Sequence, residues 1–195
     1  MSAIPESPPQ LPIRTARLLL RPFQLSDLDQ LHLYLARADV ARYLYSEPTD
    51  RAGSRRELRR RMRSDRLRRE GDALQLAIVV VTQGLLAGEV VLRWTSAEHR
   101  QGEVGFILNP DFHGQGIATE AARAMLELGF AELGLHRIVA RADSRNTPSV
   151  RVMERLGMRP EAHLVENEFV KGEWTDEVIF ALRSGDWAGA LTAPP

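Results

Sequence analysis

The chain of 195 residues contains no cysteine. Disulfides, thiolate metal sites and a cysteine acyl-enzyme are therefore excluded. Lysine is almost missing too: of 26 basic residues only Lys171 is lysine, and the other 25 are arginine. The base composition of the gene is the simplest account of that bias, and a need for arginine chemistry is the alternative. Long apolar runs are absent. The longest, Leu76 to Val81, has six residues, against the ~18 or more that a membrane-spanning helix needs. The opening MSAIPESPPQLP has neither the basic nor the apolar segment of a secretory signal. A cytoplasmic protein without membrane contact is expected. Net charge is zero, with 26 acidic and 26 basic residues, so nothing draws the whole chain toward nucleic acid or anionic lipid. The five histidines, His32, His99, His113, His136 and His163, lack ligand spacing, and no metal is expected.

What is present is ordinary for a globular protein: 44% apolar and 27% charged residues. The length fits one domain. Residues 1–13, rich in proline, read as a flexible lead-in, 14–187 as the domain and 188–195 as a tail. Leu18 to Phe23 reads as a strand. Ser26 is placed to cap a helix with Leu28, Leu31, Leu35 and Val40 on one face. Arg51 to Glu70 reads as a polar helix. Leu74 to Val81 and Leu85 to Trp94 form a hairpin around Gln83-Gly84, and Glu103 to Leu108 is a further strand. A helix from about Ile117 buries Ala121, Ala124, Met125, Leu128 and Leu133, and Gly134 ends it. His136 to Asp143 is a strand. Asn146 to Gly157 holds a short helix, and two strands follow around Lys171-Gly172. The order predicts an α/β (α+β) domain with a mixed, mostly antiparallel sheet flanked by helices.

Chemistry concentrates between Glu103 and Ala121. There a strand ends at Asn109-Pro110, and a turn containing Gly114 and Gly116 opens a helix. Glycine lets a ligand approach the backbone. The unpaired N–H groups of a helix N-terminus favour phosphate. The turn is neither G-x-G-x-x-G nor a Walker loop, which disfavours dinucleotide and phosphoryl-transfer enzymes.

HGQGIATEA, followed by a helix, a strand and NTPSVRVMERLGM, resembles the GNAT N-acyltransferase superfamily, whose acyl-CoA loop reads Q/R-x-x-G-x-G/A. His113 departs from the first position. EVGFILNPDFHGQGIATEA, the later N-x-x-S and the final W-x-D are similar to the ribosomal-protein N-terminal acetyltransferase (RimJ/RimL-like) branch. The resemblance spans roughly residues 14–183. It implies a sheet splayed at the acyl-CoA site and an acetyl-CoA or other short acyl-CoA co-substrate. The pyrophosphate would lie on His113, Gly114, Gln115, Gly116, Ile117, Ala118 and Thr119. Pantetheine would pair with Phe106, Ile107, Leu108 and Asn109 and contact Asn146. Ser149 would approach the thioester sulfur, and Arg151 and Arg155 the phosphates unless they are only a solvated face. A primary amine, of a protein N-terminus or a small molecule, is the implied acceptor. A non-catalytic acyl-CoA-binding module is the rival class. A homodimer is compatible with the resemblance.

Acyl transfer needs a neutral amine, donors for the carbonyl oxygen and a proton for the leaving thiolate. At pH 7 an α-amine of pKa ~8 is roughly 10% neutral, and a lysine of pKa ~10.4 about 0.04%. Without cysteine, direct transfer in a ternary complex is expected. Glu168 is the first candidate base, Glu103 the second, and Ser149 the candidate acid. A strand carboxylate, a structural carboxylate and a helix-start residue are the respective plain alternatives. Alternation puts Glu166 and Glu168 on one face and Asn167 and Phe169 on the other. Tyr34, Tyr43 and Tyr45 either line the acceptor pocket or pack in the core. Asp176 is expected to fix the start of the last strand. Between Asp50 and Asp72 ten arginines meet five acids. That segment is either a solvated helix with pairs such as Glu57 with Arg61, or a basic face selecting an acidic acceptor. Nucleic acid is disfavoured, because no aromatic residue interleaves the arginines.

Overall fold

A computed structural model describes residues 9–187; the tail expected at 188–195 and the first eight residues of the lead-in lie outside them. Eight strands form one sheet: β1 (Ile13–Arg14), β2 (Leu18–Pro22), β3 (Ala73–Val80), β4 (Leu85–Ser96), β5 (Gln101–Leu108), β6 (Arg137–Asp143), β7 (Arg159–Val170) and β8 (Glu173–Arg183). Among the described residues, helices α1 (Leu28–Leu35), α2 (Ala38–Ala41), α3 (Arg51–Arg63), α4 (Ile117–Glu127), continued by a π-helical turn at Leu128–Glu132, and α5 (Thr147–Arg155) accompany them. The strand order is β1-β2-β3-β4-β5-β6-β8-β7. Every neighbouring pair is antiparallel except β5 and β6.

That exception opens the sheet. β5 and β6 pair only from Gln101↔Arg137 to Glu103↔Val139. Beyond Glu103 the strands part, so the β5 edge from Val104 onward has no partner on that side. β3 is buried on both faces, as its continuous apolar run requires. On one face α4 buries Ala121, Ala122, Met125 and Leu126 against Leu76, Ile78, Val90 and Leu92. On the other, Leu31, Tyr34 and Leu35 of α1 and Leu58 of α3 cover Phe23, Ala77, Val79 and Leu86.

Several local expectations shift. Ser26 lies inside a short turn of 3-10 helix, Leu25–Asp27, and the reciprocal capping there joins Gln24 and Asp27 instead. Asp27 outcompetes the serine because its carboxylate also takes two bonds from Arg21, at 2.8 and 2.7 Å. Val40 belongs to the separate helix α2. Ala124 and Leu133 are only partly buried. The polar helix ends at Arg63; Asp65 then bridges to Leu74, because the chain must turn back into β3. Ile13 pairs with Leu20, and Leu11 packs against the core, so packing starts within the expected lead-in.

Arg61, counted among the exposed arginines, is 3% exposed. Its Nε and Nη2 donate to Glu89 at 2.5 and 2.9 Å, and its Nη1 donates to Glu57 at 2.6 Å. Tyr34 Oη and Gln75 Nε2 complete the shell around Glu89. Burying that carboxylate is tolerable only because it is paired on all sides. The network fastens α3 to the sheet and takes Tyr34 out of any acceptor pocket.

Candidate active site

The loop expected to hold the coenzyme is a backbone structure. Gly114 and Gly116 sit at φ 74° and 75°, where a side chain costs roughly 1–2 kcal/mol. Gly116 is the N-cap of α4, and its carbonyl accepts the first helical bond from Glu120 N–H at 3.0 Å. The α4 N–H groups of Ile117, Ala118 and Thr119 precede that bond and face outward without intrahelical partners. The Thr119 hydroxyl is buried and has no hydrogen-bond partner among the described residues. An orphaned hydroxyl beside open amides and a glycine cradle suits an anion such as pyrophosphate. His113, in the departing position, closes the loop onto the strand: its Nε2 lies 3.3 Å from Leu108 O. Gln115 Nε2 donates back to Asp111 O at 3.3 Å.

Phe106, Ile107 and Leu108 are half-buried along the unpartnered β5 edge. The Asn109 side chain is occupied locally, accepting from Asp111 N–H at 3.2 Å. Asn146 likewise caps α5, its Oδ1 accepting from Ser149 N–H at 3.3 Å. Ser149 is half-buried on the first turn of α5, and Arg151 and Arg155 are exposed on that helix.

Where β5 and β6 part, a cavity of about 210 Å³ opens on the α1–α3 face of the sheet. Glu103, Arg141, Glu177, Glu168, Tyr43 and Tyr45 are among its lining residues. The pairing registers explain the convergence. Side chains of cross-strand partners share a face, so Glu103 of β5 and Arg141 of β6 point the same way as Glu177 and Thr175 of β8 and Glu168 of β7. Both candidate bases thus enter one trough, whereas Ser149 and Asn146 do not line it. With Asp176 turned to His163 on the opposite face, the lining of the trough holds five carboxylates and four basic groups.

Glu177 is the residue that sequence reading missed. It is 6% exposed. Arg141 Nη1 lies 3.3 Å from one of its oxygens, and Asn167 Nδ2 donates to it at 3.1 Å. Desolvation pushes its carboxyl above the usual range; Arg141 opposes this, and Glu168 and Glu103 add to it. Arg141 also reaches toward Glu103, at 3.5 Å. A polar residue in the sequence W-T-D-E-V-I-F, at a position where strand alternation demands burial, was the available signal.

Tyr45 donates to Glu168 Oε2 at 2.6 Å. Desolvation raises the Tyr45 hydroxyl well above its ordinary value, and the bond to the carboxylate raises it further. Arg42 stacks over Tyr43 at 5.2 Å from the ring centroid. The expected alternation of Glu166 and Glu168 fails. Leu164 pairs with Glu177 and Glu168 with Thr175, so β7 bulges between them, with Glu166 at φ 49°. The bulge brings Asn167 to Glu177 on the trough side. Asp176 pins it, accepting from Glu166 N–H at 2.9 Å and facing His163 Nε2 at 2.9 Å. Those two bonds hold its carboxyl below the ordinary range.

The sequence model of the family described as Acetyltransferase (GNAT) domain matches residues 17–159. YnaD of Bacillus subtilis, an uncharacterized N-acetyltransferase, is 32% identical over 90% of this chain and 98% of its own. YdaF of the same organism, a candidate ribosomal N-acetyltransferase, is 32% identical over 54% of this chain and 58% of its own. A GNAT-family acetyltransferase from Bacillus anthracis superposes with a TM-score of 0.80 at 32% identity, covering 89% of this chain and 98% of that one. Spermidine N-acetyltransferase from Vibrio cholerae, solved with CoA and spermine, superposes with a TM-score of 0.74 at 25% identity, covering 89% and 99%. With the split sheet, the glycine-opened helix and this kinship together, the chain belongs to the GNAT acetyltransferase family and is an acyl-CoA-dependent N-acetyltransferase.

Proposed function

We propose that the protein transfers an acetyl group from acetyl-CoA directly to a primary amine of a small polycationic acceptor held in the trough. The observation that carries this reading is the convergence of Glu103, Glu168 and Glu177 at the fork between β5 and β6. An excess of carboxylates over basic groups attracts an acceptor carrying more than one ammonium. The likeness to a spermidine N-acetyltransferase bound to spermine supports the same chemistry.

Gly114 to Thr119 would hold the pyrophosphate through backbone N–H groups and the free Thr119 hydroxyl. Phe106 to Asn109 offer the open strand edge to the pantetheine arm, with Asn146 beside it. Arg151 and Arg155 would meet outer phosphates. When bound, the coenzyme supplies an activated acyl carbonyl. Glu168 takes the proton of the attacking ammonium, directly or through one water, and Tyr45 fixes its orientation. Glu177 and Glu103 hold the remaining positive charge of the acceptor. Ser149 supplies the proton that the leaving thiolate needs.

A protein N-terminal amine is the second reading. The partial similarity to YdaF favours it, and an α-amine needs little help from a base. Thiol release from acetyl-CoA, measured against di- and polyamines, peptides with free N-termini and mono-amines, tests both. Turnover confined to peptides would replace the first reading by the second, and release with no acceptor in the panel would sink both.

A further inference from the structure

The N-terminal hairpin reaches the coenzyme loop across the fold. Arg17 stands directly before β2, and its Nη1 donates to Gln115 O at 3.0 Å, 98 residues away in sequence. Its Nε and Nη2 each lie 2.7 Å from Glu120 Oε2. The other oxygen of Glu120 accepts from Arg17 N–H at 3.0 Å and from Thr15 Oγ1 at 2.6 Å. One carboxylate on the first turn of α4 is therefore clamped by four donors from a single hairpin. Burial alone would raise the Glu120 carboxyl, but the bonds from Thr15 and Arg17 outweigh it and hold it below the usual range. The clamp is ionised and closed at neutral pH.

We infer that Arg17 is a positioning residue for acetyl-CoA, setting the Gln115–Gly116 peptide so that Gly116 N–H faces the phosphate side of the loop. In a trans peptide the C=O and the following N–H point in opposite directions. Holding Gln115 O on the hairpin side thus directs Gly116 N–H to the other side. The restraint matters because Gly116 admits either sign of φ, which leaves this peptide free to flip. The guanidinium also lies close: a Cβ on Gly116 would meet Arg17 Nη2 at 3.5 Å. Its planar fork engages the carbonyl and the carboxylate at once at fixed angles, which a lysine's flexible ammonium does not reproduce.

The inference rests on Gly114 to Thr119 being the coenzyme loop, and the experiment separates the two. CoA affinity is measured by calorimetry for the wild type, Arg17→Met, Arg17→Lys, Glu120→Gln and Gly116→Glu. Amide exchange at residues 114–119 is followed in the ligand-free proteins. Arg17→Met should weaken CoA about tenfold and speed exchange at the loop. KM for acetyl-CoA should rise in step, with kcat at saturation and acceptor KM within about twofold. Arg17→Lys should recover only part of the affinity. It carries the test if the methionine variant fails to fold. Unchanged CoA affinity and unchanged exchange in folded Arg17 variants, beside a Gly116→Glu protein that has lost CoA binding, would overturn the positioning role alone. If Gly116→Glu also binds CoA normally, the loop assignment itself falls. A fall in kcat with unchanged CoA affinity would likewise overturn the inference, because the residue would then act on the reaction step.

Discussion

The proposed coenzyme loop and the proposed acceptor trough are joined by β5, but they are made differently. The loop is contiguous and works through main-chain amides, with two glycines at positive φ and one orphaned hydroxyl. The trough is discontinuous and works through side chains brought from four strands and the segment carrying Tyr43 and Tyr45. A backbone site tolerates exchange of most of its side chains and fails when the backbone cannot adopt its shape. A side-chain site keeps its shape and fails when one charge is removed. The contrast suits the proposed tasks, the binding of an invariant coenzyme by the one and the choice of an acceptor by the other.

The largest expected effect breaks the loop. Gly116→Glu places a Cβ at φ 75° and a negative charge where phosphate is proposed to sit. CoA affinity should fall by two orders of magnitude or more in a protein that still folds, and calorimetry reads it directly. Gly116→Gln adds the same strain and bulk without the charge, so the difference between the two variants isolates the charge. Unchanged affinity in both would mean that the backbone there holds no phosphate.

Next comes the trough. Glu168→Gln should lower kcat by ~10²-fold, the scale of a positioned base, with CoA affinity unchanged. Tyr45→Phe should reproduce a smaller part of that loss by freeing the carboxylate. Full activity of Glu168→Gln from pH 6 to 9 would move the role to Glu103 or to no carboxylate at all.

Glu177→Gln sharpens the comparison through stability. The folded carboxyl is raised above its ordinary value, so the folded state binds the proton more tightly than the unfolded chain. Stability therefore falls as pH rises from the ordinary glutamate pKa through the raised one. The glutamine variant should lack that fall, melting higher than wild type at pH 7 and equally near pH 3. Its acceptor KM should rise about tenfold. Parallel melting curves at all pH values would remove the burial argument.

The smallest effect concerns the outer face of α3. Arg51 pairs with Asp29 and Arg60 with Glu57, while Arg59 and Arg63 project into solvent. The sequence suggested a basic face for an acidic acceptor, but the trough on the same side of the sheet is acidic, which reverses the expected sign. Changing Arg59, Arg60 and Arg63 to Gln should lower KM for a polyamine by no more than about threefold at ~0.05 M salt. The difference should vanish by ~0.5 M, where screening shortens to about 4 Å. A rise in KM instead would restore the acidic acceptor.

Taken element by element, legibility followed locality. The order of elements along the chain, the α4 start at Ile117, the Gly134 stop after the π-helical turn Leu128–Glu132 that continues α4, and the β7–β8 turn all come from short-range patterns, and the structure contains them. Glu103 and Glu168 were legible as candidates because they stand beside recognisable motifs. Glu177 was not: its importance comes from the β6 and β7 partners that surround it, and nothing in a five-residue window names them. Alternation around Glu168 misled, because a bulge pinned by Asp176 inserts extra residues that sequence periodicity does not count. The pairing of Arg61 with Glu57 was legible from its i,i+4 spacing, but its burial was not, since a helix periodicity says which face is apolar but not which charge finds a buried Glu89.

Sequence by itself determined most of the elements, their order, the glycine-opened helix start and the absence of any cysteine chemistry. These depend on dihedral preference, periodicity and composition, which act within a few residues. Tertiary structure alone decided where β5 leaves β6, that Glu103, Glu168 and Glu177 share a trough, and that Arg17 grips a loop 98 residues away. Those outcomes depend on strand register, where a one-residue shift turns every side chain to the opposite face. Register is settled by the packing of the whole sheet at once.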